Sequence, residues 1–162
     1  MKKAIFLDRD GVINHDPGDY TTSLSEFTIL PDVIPTLQDW SSRGFIVVVI
    51  TNQGGIAKER YTLDDFYEID NYMKSKFLEA NVNYQETYFC PHHDAISHCL
   101  CRKPHSGMIE KAIAKHAIDP EQSVMIGDKW RDLEAAEGAG VKGIKIDVNQ
   151  SLKSIDLTKF SN

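Results

Sequence analysis

The fold is decided by residues 44–52, which read GFIVVVITN. Six consecutive apolar residues, three of them valine, follow a glycine and end at a threonine and an asparagine. A strand that is covered by helices on both faces of its sheet has this near-continuous apolar character. The stretch therefore predicts a buried strand of a parallel sheet.

Four shorter apolar runs of strand length lie before and after this stretch, and helical patterns separate them. The strand candidates are residues 4–7, 87–89, 124–126 and 143–146. The helix candidates are residues 32–42, 62–77, 106–116 and 133–139, with Asp32 as a cap of the first and Thr62 with Asp65 as a capping box of the second. The alternation predicts an α/β fold, an open three-layer parallel sheet of the Rossmann-like kind with right-handed crossovers.

The composition is that of an ordinary globular protein and predicts a single domain over residues 1–162. Eighteen Lys and Arg residues against twenty-four Asp and Glu residues give a formal net charge of −6. This balance argues against nucleic acid or an anionic membrane as the main partner. No apolar run approaches the length of a membrane span or a signal peptide, so we expect a cytoplasmic protein. We also expect a monomer. The last dozen residues are polar, and we expect them to pack loosely.

Polar residues follow the predicted strands, at the edge of the sheet where such folds bind ligands. Asp8 and Asp10 follow the first strand, Thr51 the second and Asp128 the fourth, while Lys103 precedes the third helix. Taken singly, these residues have ordinary alternatives, since Asp-x-Asp-Gly is common in turns and most lysines are solvated. Two carboxylates two residues apart can also approach one divalent cation, or one of them can act as a nucleophile.

The three cysteines lie within residues 90–101 and, with a histidine, read C-x-H-x6-C-x-C. An odd number of clustered cysteines in a chain without secretory features favours a metal site over a disulfide framework. Three thiolates and one imidazole suit a closed tetrahedral Zn²⁺, which predicts a small structural zinc loop. Three unrelated thiols or a redox pair are the alternatives. The predicted ligands are Cys90, Cys99, Cys101 and a histidine, and spacing alone leaves His92 and His93 almost equal.

The strand-end residues resemble the four motifs of the haloacid dehalogenase (HAD) superfamily of phosphotransferases. The motifs are Asp8-x-Asp10, Thr51, Lys103 and Gly127-Asp128-x-x-x-Asp132, in this order along the chain. The resemblance covers residues 4–146 and implies an HAD-fold phosphatase without an inserted cap domain. It also implies that Asp132 orients Lys103 or Lys129 and does not bind a metal.

The resemblance implies a role for each of the other motif residues. Asp8 would be the nucleophile that forms an aspartyl-phosphate, and Asp10 would be the general acid and then the general base. Thr51 and Lys103 would bind the phosphoryl oxygens. A catalytic Mg²⁺ would be held by Asp8, the backbone carbonyl of Asp10, and Asp128.

Residues 6–14, FLDRDGVIN, resemble two zinc-containing branches of this superfamily, the heptose bisphosphate phosphatases and the histidinol phosphatases. Both branches favour His92 as the zinc ligand, and several further segments favour the heptose branch. The substrate-binding residues that this resemblance implies are Asp16, Gly18, Tyr20, Asn52, Gln53, Gly54, Arg102 and Lys129. The implied substrate is a small phosphorylated metabolite, a sugar bisphosphate that loses its C7 phosphate on the way to lipopolysaccharide precursors. The alternative substrate is histidinol phosphate, and the alternative class is a non-catalytic zinc-stabilised binding module.

Overall fold

The computed structural model describes residues 1–160, in which a five-stranded parallel sheet is flanked by four α-helices. The strands are β1 (Lys3–Leu7), β2 (Phe45–Asn52), β3 (Tyr84–Cys90), β4 (Val124–Gly127) and β5 (Lys142–Lys145). The helices are α1 (Val33–Ser42), α2 (Leu63–Glu79), α3 (Gly107–His116) and α4 (Trp130–Gly138). The strand order β3-β2-β1-β4-β5 places β1 at the centre of the sheet. The predicted α/β class and the alternation of strands and helices are confirmed.

Both faces of the sheet are apolar, because successive side chains of a strand point to opposite faces. Ile5 of β1 packs in one cluster with Trp40 of α1 and Ile69 of α2. Its neighbour Phe6 packs in a second cluster with Ile109 of α3. Two helices therefore cover each face, and the three-layer arrangement predicted from the apolar strands is correct.

The ends of the helices match the predicted capping residues only in part. The Thr62 hydroxyl accepts a hydrogen bond from the Asp65 N–H, and the Asp65 carboxylate accepts one from the Thr62 N–H, so the predicted capping box is present. Asp32 does precede α1, but its carboxylate accepts a hydrogen bond from the Ser151 hydroxyl and caps no backbone N–H. In the part of the chain that the structure describes, no helix has the length and apolarity needed to cross a membrane.

Helix α4 begins at Trp130, earlier than the predicted residue 133. The reason is the side chain of Asp132, which accepts a hydrogen bond from the backbone N–H of Lys129 at 3.0 Å and so stabilises the first turn. The apolar periodicity used for the prediction starts only after this polar turn. The earlier start has a functional consequence, since it holds Asp132 at the end of β4.

The C-terminal segment is packed more firmly than predicted. Leu152, in a short 3-10 helix (Leu152–Ser154), and Leu157 are both buried in the cluster that contains α1 and α2. The prediction of loose packing is therefore wrong for these residues. The sequence did not reveal their burial, because the two leucines in this polar stretch follow neither the helical nor the strand period. Residues 161–162 of that stretch lie outside the described part of the chain.

Truncation of Leu152 tests whether this segment contributes to the core. We expect Leu152→Ala to lower the free energy of unfolding by about 2–4 kcal/mol, because the side chain is fully buried. The neighbouring exposed variant Lys153→Ala should change it by less than about 0.5 kcal/mol. Urea denaturation of both variants measures the difference, and equal midpoints would contradict the packing described here.

Candidate active site

The carboxyl ends of β1, β2 and β4 meet at one edge of the sheet, and the predicted site residues lie there. Asp8 follows β1, Thr51 is near the end of β2, and Asp128 follows β4. Lys103 reaches the same point from the loop before α3. A cleft of about 380 Å³ opens beside them, and Asp8, Asp10 and Asp128 form part of its lining. The structure thus brings the residues of the four motifs together.

Lys103 is almost completely enclosed, with 2% of its surface exposed. Its Nζ lies 2.9 Å from Oδ1 of Asp8 and 2.7 Å from Oδ1 of Asp132, and it donates a hydrogen bond of 2.7 Å to the carbonyl of Ile50. Burial on its own would lower the pKa of Lys103, but the two carboxylates outweigh burial and raise it. Lys103 is therefore a charged, fully partnered group and not a solvated surface lysine.

Asp8 is held in an environment that disfavours its ionised form. Burial raises the pKa of Asp8 above its ordinary value, and the nearby charge of Asp132 raises it further, while Lys103 opposes both effects. Its Oδ1 also accepts a hydrogen bond from the backbone N–H of Arg9 at 2.8 Å. The carboxylate of Asp8 is thus fixed in position by Lys103 and crowded by Asp132.

Asp10 has the opposite environment, because three side-chain donors surround its carboxylate. Arg9 and Asn14 donate to its Oδ1 at 3.1 and 3.0 Å, and Gln53 donates to its Oδ2 at 3.0 Å. Burial opposes them, but the charge of Arg9 and these hydrogen bonds together lower the pKa of Asp10. Sequence reasoning missed Arg9 and Asn14, although both lie inside the quoted stretch at residues 6–14.

The end of β2 contributes two polar side chains that contact protein groups. Thr51 is fully buried, and its Oγ1 accepts a hydrogen bond from the Gln53 amide at 2.8 Å. The side-chain amide of Asn52 donates to the backbone carbonyl of Lys103 at 3.1 Å and accepts from its N–H at 3.0 Å. Asn52, predicted to bind substrate, therefore also anchors the loop that carries Lys103.

Three carboxylates at this edge of the sheet fit a divalent cation. Asp8, Asp128 and Asp132 each offer an oxygen atom, and these three atoms lie within 4.8 Å of one another. Both carboxylate oxygens of Asp128 are buried: Oδ1 accepts no hydrogen bond from the described residues, whereas Oδ2 lies 2.9 Å from Nζ of Lys129. Buried oxygens without donors are the expected ligands of a hard cation such as Mg²⁺. Asp132 is already engaged by Lys103 and by the Lys129 N–H, in agreement with the orienting role expected from sequence.

The predicted cysteine cluster assembles at the end of β3 and can hold a metal ion. The sulfur atoms of Cys90, Cys99 and Cys101 lie 3.0–3.6 Å apart, and Nδ1 of His92 lies 3.5 Å from the first and 3.3 Å from the third. A tetrahedral zinc site has metal–sulfur distances of about 2.3 Å, which place ligand atoms under about 4 Å apart. His93 does not join the cluster, because its Nδ1 accepts a hydrogen bond from the Ala95 N–H. The geometry thus favours His92 over His93.

Two predicted substrate residues, Gly54 and Arg102, face the loop at residues 90–101 and do not line the cleft. Nη1 of Arg102 donates to the carbonyl of His92 at 3.1 Å, and its Nε lies 3.6 Å from Asp94. A Cβ at Gly54 would lie 2.7 Å from the ring of His93 and 3.0 Å from Arg102. The small residue at position 54 therefore lets the two loops approach each other.

The walls of the cleft contain most of the predicted substrate residues and some that were missed. The predicted ones are Asp16, Gly18, Tyr20, Asn52, Gln53 and Lys129. Asp19 lies between the predicted Gly18 and Tyr20, and the missed residues are Thr21, Tyr61 and Arg131. Arg131 is next to the motif residue Asp132, so its position in the sequence was a usable signal. Tyr61 had no such signal, because a long loop separates it from the motif at the end of β2.

The chain is similar in sequence to known phosphatases. A family model described as HAD-hydrolase-like matches residues 100–153. The D-glycero-beta-D-manno-heptose-1,7-bisphosphate 7-phosphatase of Haemophilus influenzae is 42% identical over 147 residues, which cover 88% of this chain and 79% of that protein. The protein of the same name from Helicobacter pylori is 40% identical over 153 residues, which cover 94% of this chain and 87% of that protein.

The fold is similar to that of a solved phosphatase. The crystal structure of D,D-heptose 1,7-bisphosphate phosphatase from B. bronchiseptica, complexed with magnesium and phosphate, matches with a TM-score of 0.84 at 29% sequence identity. The match covers 94% of this chain and 84% of that one. The expected HAD-type arrangement of the sheet is therefore confirmed.

The contrast between Asp8 and Asp132 predicts opposite effects of two similar substitutions. In magnesium-free buffer at about pH 7, Asp132→Asn should lower the free energy of unfolding by about 2 kcal/mol or more, because a buried ion-pair partner is lost. Asp8→Asn should leave it unchanged or raise it, since the folded state disfavours ionised Asp8. The raised pKa of Asp8 means that the wild type loses stability as the pH rises from 3.8 through that pKa, and Asp8→Asn lacks this loss.

Urea denaturation at about pH 5 and about pH 7 measures both effects. The aspartate Asp147 provides the control, because Asp147→Asn removes a charge that is exposed to solvent. Equal destabilisation by Asp8→Asn and Asp132→Asn would contradict the unequal roles of the two carboxylates.

Proposed function

The chain belongs to the HAD family of hydrolases, and we propose that it hydrolyses a phosphomonoester through an aspartyl-phosphate intermediate. The observation that carries this proposal is the pair of carboxylates in the cleft, whose surroundings differ. Asp8 faces the ammonium group of Lys103, and Asp10 faces three neutral or cationic donors. Lys103 balances the negative charge of Asp8, and Asp10 lies in the same cleft, so one carboxylate can attack phosphorus while the other exchanges protons. A non-catalytic binding module would not need this division.

In the first step, a carboxylate oxygen of Asp8 attacks the phosphorus atom in line with the bond to the leaving oxygen. The phosphorus–oxygen bond of the substrate breaks, and Asp10 transfers its proton to the leaving alcohol. The lowered pKa of Asp10 favours its ionised form in the free protein. A phosphate dianion next to Asp10 raises that pKa, which favours the proton needed for this step.

In the second step, Asp10 acts as a base toward water. It removes a proton from a water molecule, whose oxygen attacks the phosphorus atom and displaces Asp8. Inorganic phosphate forms, and both aspartates return to their starting states. The ionised form of Asp10 that its three donors favour suits this second step.

Lys103 and Thr51 stabilise the charge of the phosphoryl group in this proposal. Lys103 contacts the attacking carboxylate of Asp8 directly, so its positive charge lies next to the oxygen that forms the new bond. Thr51 accepts a hydrogen bond from Gln53, which leaves its own hydroxyl proton for a phosphoryl oxygen.

We assign the buried carboxylates of Asp8 and Asp128 and the backbone carbonyl of Asp10 as ligands of a Mg²⁺ ion. The support is the buried Oδ1 of Asp128, which accepts no hydrogen bond from the described residues. When bound, Mg²⁺ would neutralise part of the negative charge of the phosphoryl group. Lys129, paired with Asp128, would lie beside this ion and the substrate.

The proposed substrate is D-glycero-β-D-manno-heptose 1,7-bisphosphate, which would lose the phosphate at C7. The support is the name that the relatives at about 40% identity share. Lys129 and Arg131 add two cations to the wall of the cleft, where a second phosphate group would find opposite charge. The product would then serve the synthesis of lipopolysaccharide precursors.

The Cys/His cluster is proposed to bind Zn²⁺ in a structural role. Four protein ligands close a tetrahedral shell and leave no position for substrate. Cys101 is two residues before Lys103, so an ordered cluster would fix the start of the segment that reaches the active site.

Phosphate release tests the proposed activity and its substrate. With Mg²⁺ present, we expect the β-anomer of the heptose bisphosphate to give a higher kcat/KM than its α-anomer, histidinol phosphate or glucose 6-phosphate. Asp8→Asn should abolish turnover and the covalent phosphoenzyme. Asp10→Asn should also cripple turnover but still bind phosphate, because it leaves the nucleophile in place.

Each part of the proposal has its own contrary outcome. A preference for histidinol phosphate would replace the substrate but keep the chemistry. Release from none of the four compounds would contradict the phosphatase activity. Substantial steady-state turnover by Asp8→Asn would exclude Asp8 as the nucleophile.

Zinc analysis of two neighbouring histidine variants tests the metal cluster. We expect about one zinc ion per chain in the wild type and in His93→Ala, and much less in His92→Ala, because His92, unlike His93, lies next to the sulfur atoms of Cys90 and Cys101. His92→Ala should also lower Tm and activity, since the adjoining segment carries Lys103. Full activity of a zinc-free His92→Ala protein would contradict the proposed link between the cluster and the active site.

A further inference from the structure

The side-chain amide of Gln53 connects three functional positions. It is buried, and its Nε2 donates two hydrogen bonds, one of 2.8 Å to Oγ1 of Thr51 and one of 3.0 Å to Oδ2 of Asp10. Its Oε1 accepts a hydrogen bond from the hydroxyl of Tyr61. Both protons of the amide nitrogen are therefore used, and the amide is held from three sides.

The orientation of this amide follows from the charge of its neighbours. A carboxylate accepts hydrogen bonds only, so Asp10 requires the nitrogen side of the Gln53 amide. The oxygen side must then find a donor, because a buried carbonyl oxygen without one is costly. Tyr61 supplies that donor, and burial raises the pKa of Tyr61, so its hydroxyl keeps its proton.

The position of Tyr61 is built into the loop between β2 and α2. Its ring is buried and packs against Tyr20 at 6.2 Å between centroids. A Cβ at Gly55 would lie 2.2 Å from the Tyr61 ring, so only glycine at that position leaves room for it. The next residue, Thr62, caps α2 and fixes the chain direction.

We infer that Tyr61 is a positioning residue that acts through Gln53 on Thr51 and Asp10 at once, and this inference rests on the proposed function. With Oε1 held by Tyr61, the amide directs one N–H to the Thr51 oxygen, which leaves the Thr51 hydroxyl proton for the phosphoryl group. The other N–H fixes the Asp10 carboxylate, whose second oxygen is held by Arg9 and Asn14. One hydroxyl on the cleft wall thus sets the geometry of the phosphate-binding group and of the acid–base group.

The variant Tyr61→Phe removes the hydroxyl and keeps the ring. We expect kcat for the heptose bisphosphate to fall roughly tenfold, because a buried hydrogen bond is lost and the amide can rotate. KM should change by less than about twofold, since the affected groups act on the reacting atoms. Tyr72→Phe is the matched control, because Tyr72 is partly exposed on α2 and its variant should retain wild-type kcat.

A double-mutant cycle separates positioning from a general structural effect. Gln53→Met removes the amide with a side chain of similar length, and Tyr61→Phe in that background should cause little further loss of kcat. The inference is overturned if Tyr61→Phe retains wild-type kcat, or if it lowers kcat by the same factor in both backgrounds. Failure of the wild type itself to release phosphate would instead contradict the proposed function.

Discussion

A single buried ammonium group, that of Lys103, is the interaction on which the arrangement of the active site depends. An ammonium group in an apolar interior is strongly destabilised unless its charge and hydrogen bonds are matched. Lys103 has both, because Asp8 and Asp132 lie 2.9 and 2.7 Å away and the carbonyl of Ile50 accepts a hydrogen bond. The three partners come from the end of β1, the first turn of α4 and β2. Lys103 therefore fixes the relative positions of the elements that form the cleft.

The segment that carries Lys103 is itself anchored on both sides of its backbone. Asn52 forms hydrogen bonds with the Lys103 N–H and carbonyl, and Cys101 belongs to the Cys/His cluster two residues earlier. Arg102, between them, binds the carbonyl of His92 and so joins the segment to the same loop. The Cys/His cluster and Lys103 are thus parts of one continuous structure, although the cluster does not line the cleft.

The features that could be predicted are those whose signal lies in a few neighbouring residues of the sequence. Apolar strands with flanking helices identify a parallel sheet, and a polar residue directly after a strand, such as Asp8 or Asp128, must lie at its ligand-binding edge. Tyr61 could not be found in this way, because its hydroxyl meets Gln53 only after the loop between them has folded. Leu152 was missed for a similar reason, since its burial depends on a surface formed by distant elements.

Residues 44–52 serve the fold and the site together. The six apolar residues are buried between the two helical layers, and this burial stabilises the sheet. Ile50 contributes to both, because its side chain packs in the core while its carbonyl accepts a hydrogen bond from Lys103. The ionised carboxylate of Asp8, buried and crowded by Asp132, lowers stability, and such an unfavourable group persists only where other parts of the protein offset it. The apolar sheet is therefore the condition under which Asp8 can be buried beside Asp132, and that burial gives Asp8 its raised pKa.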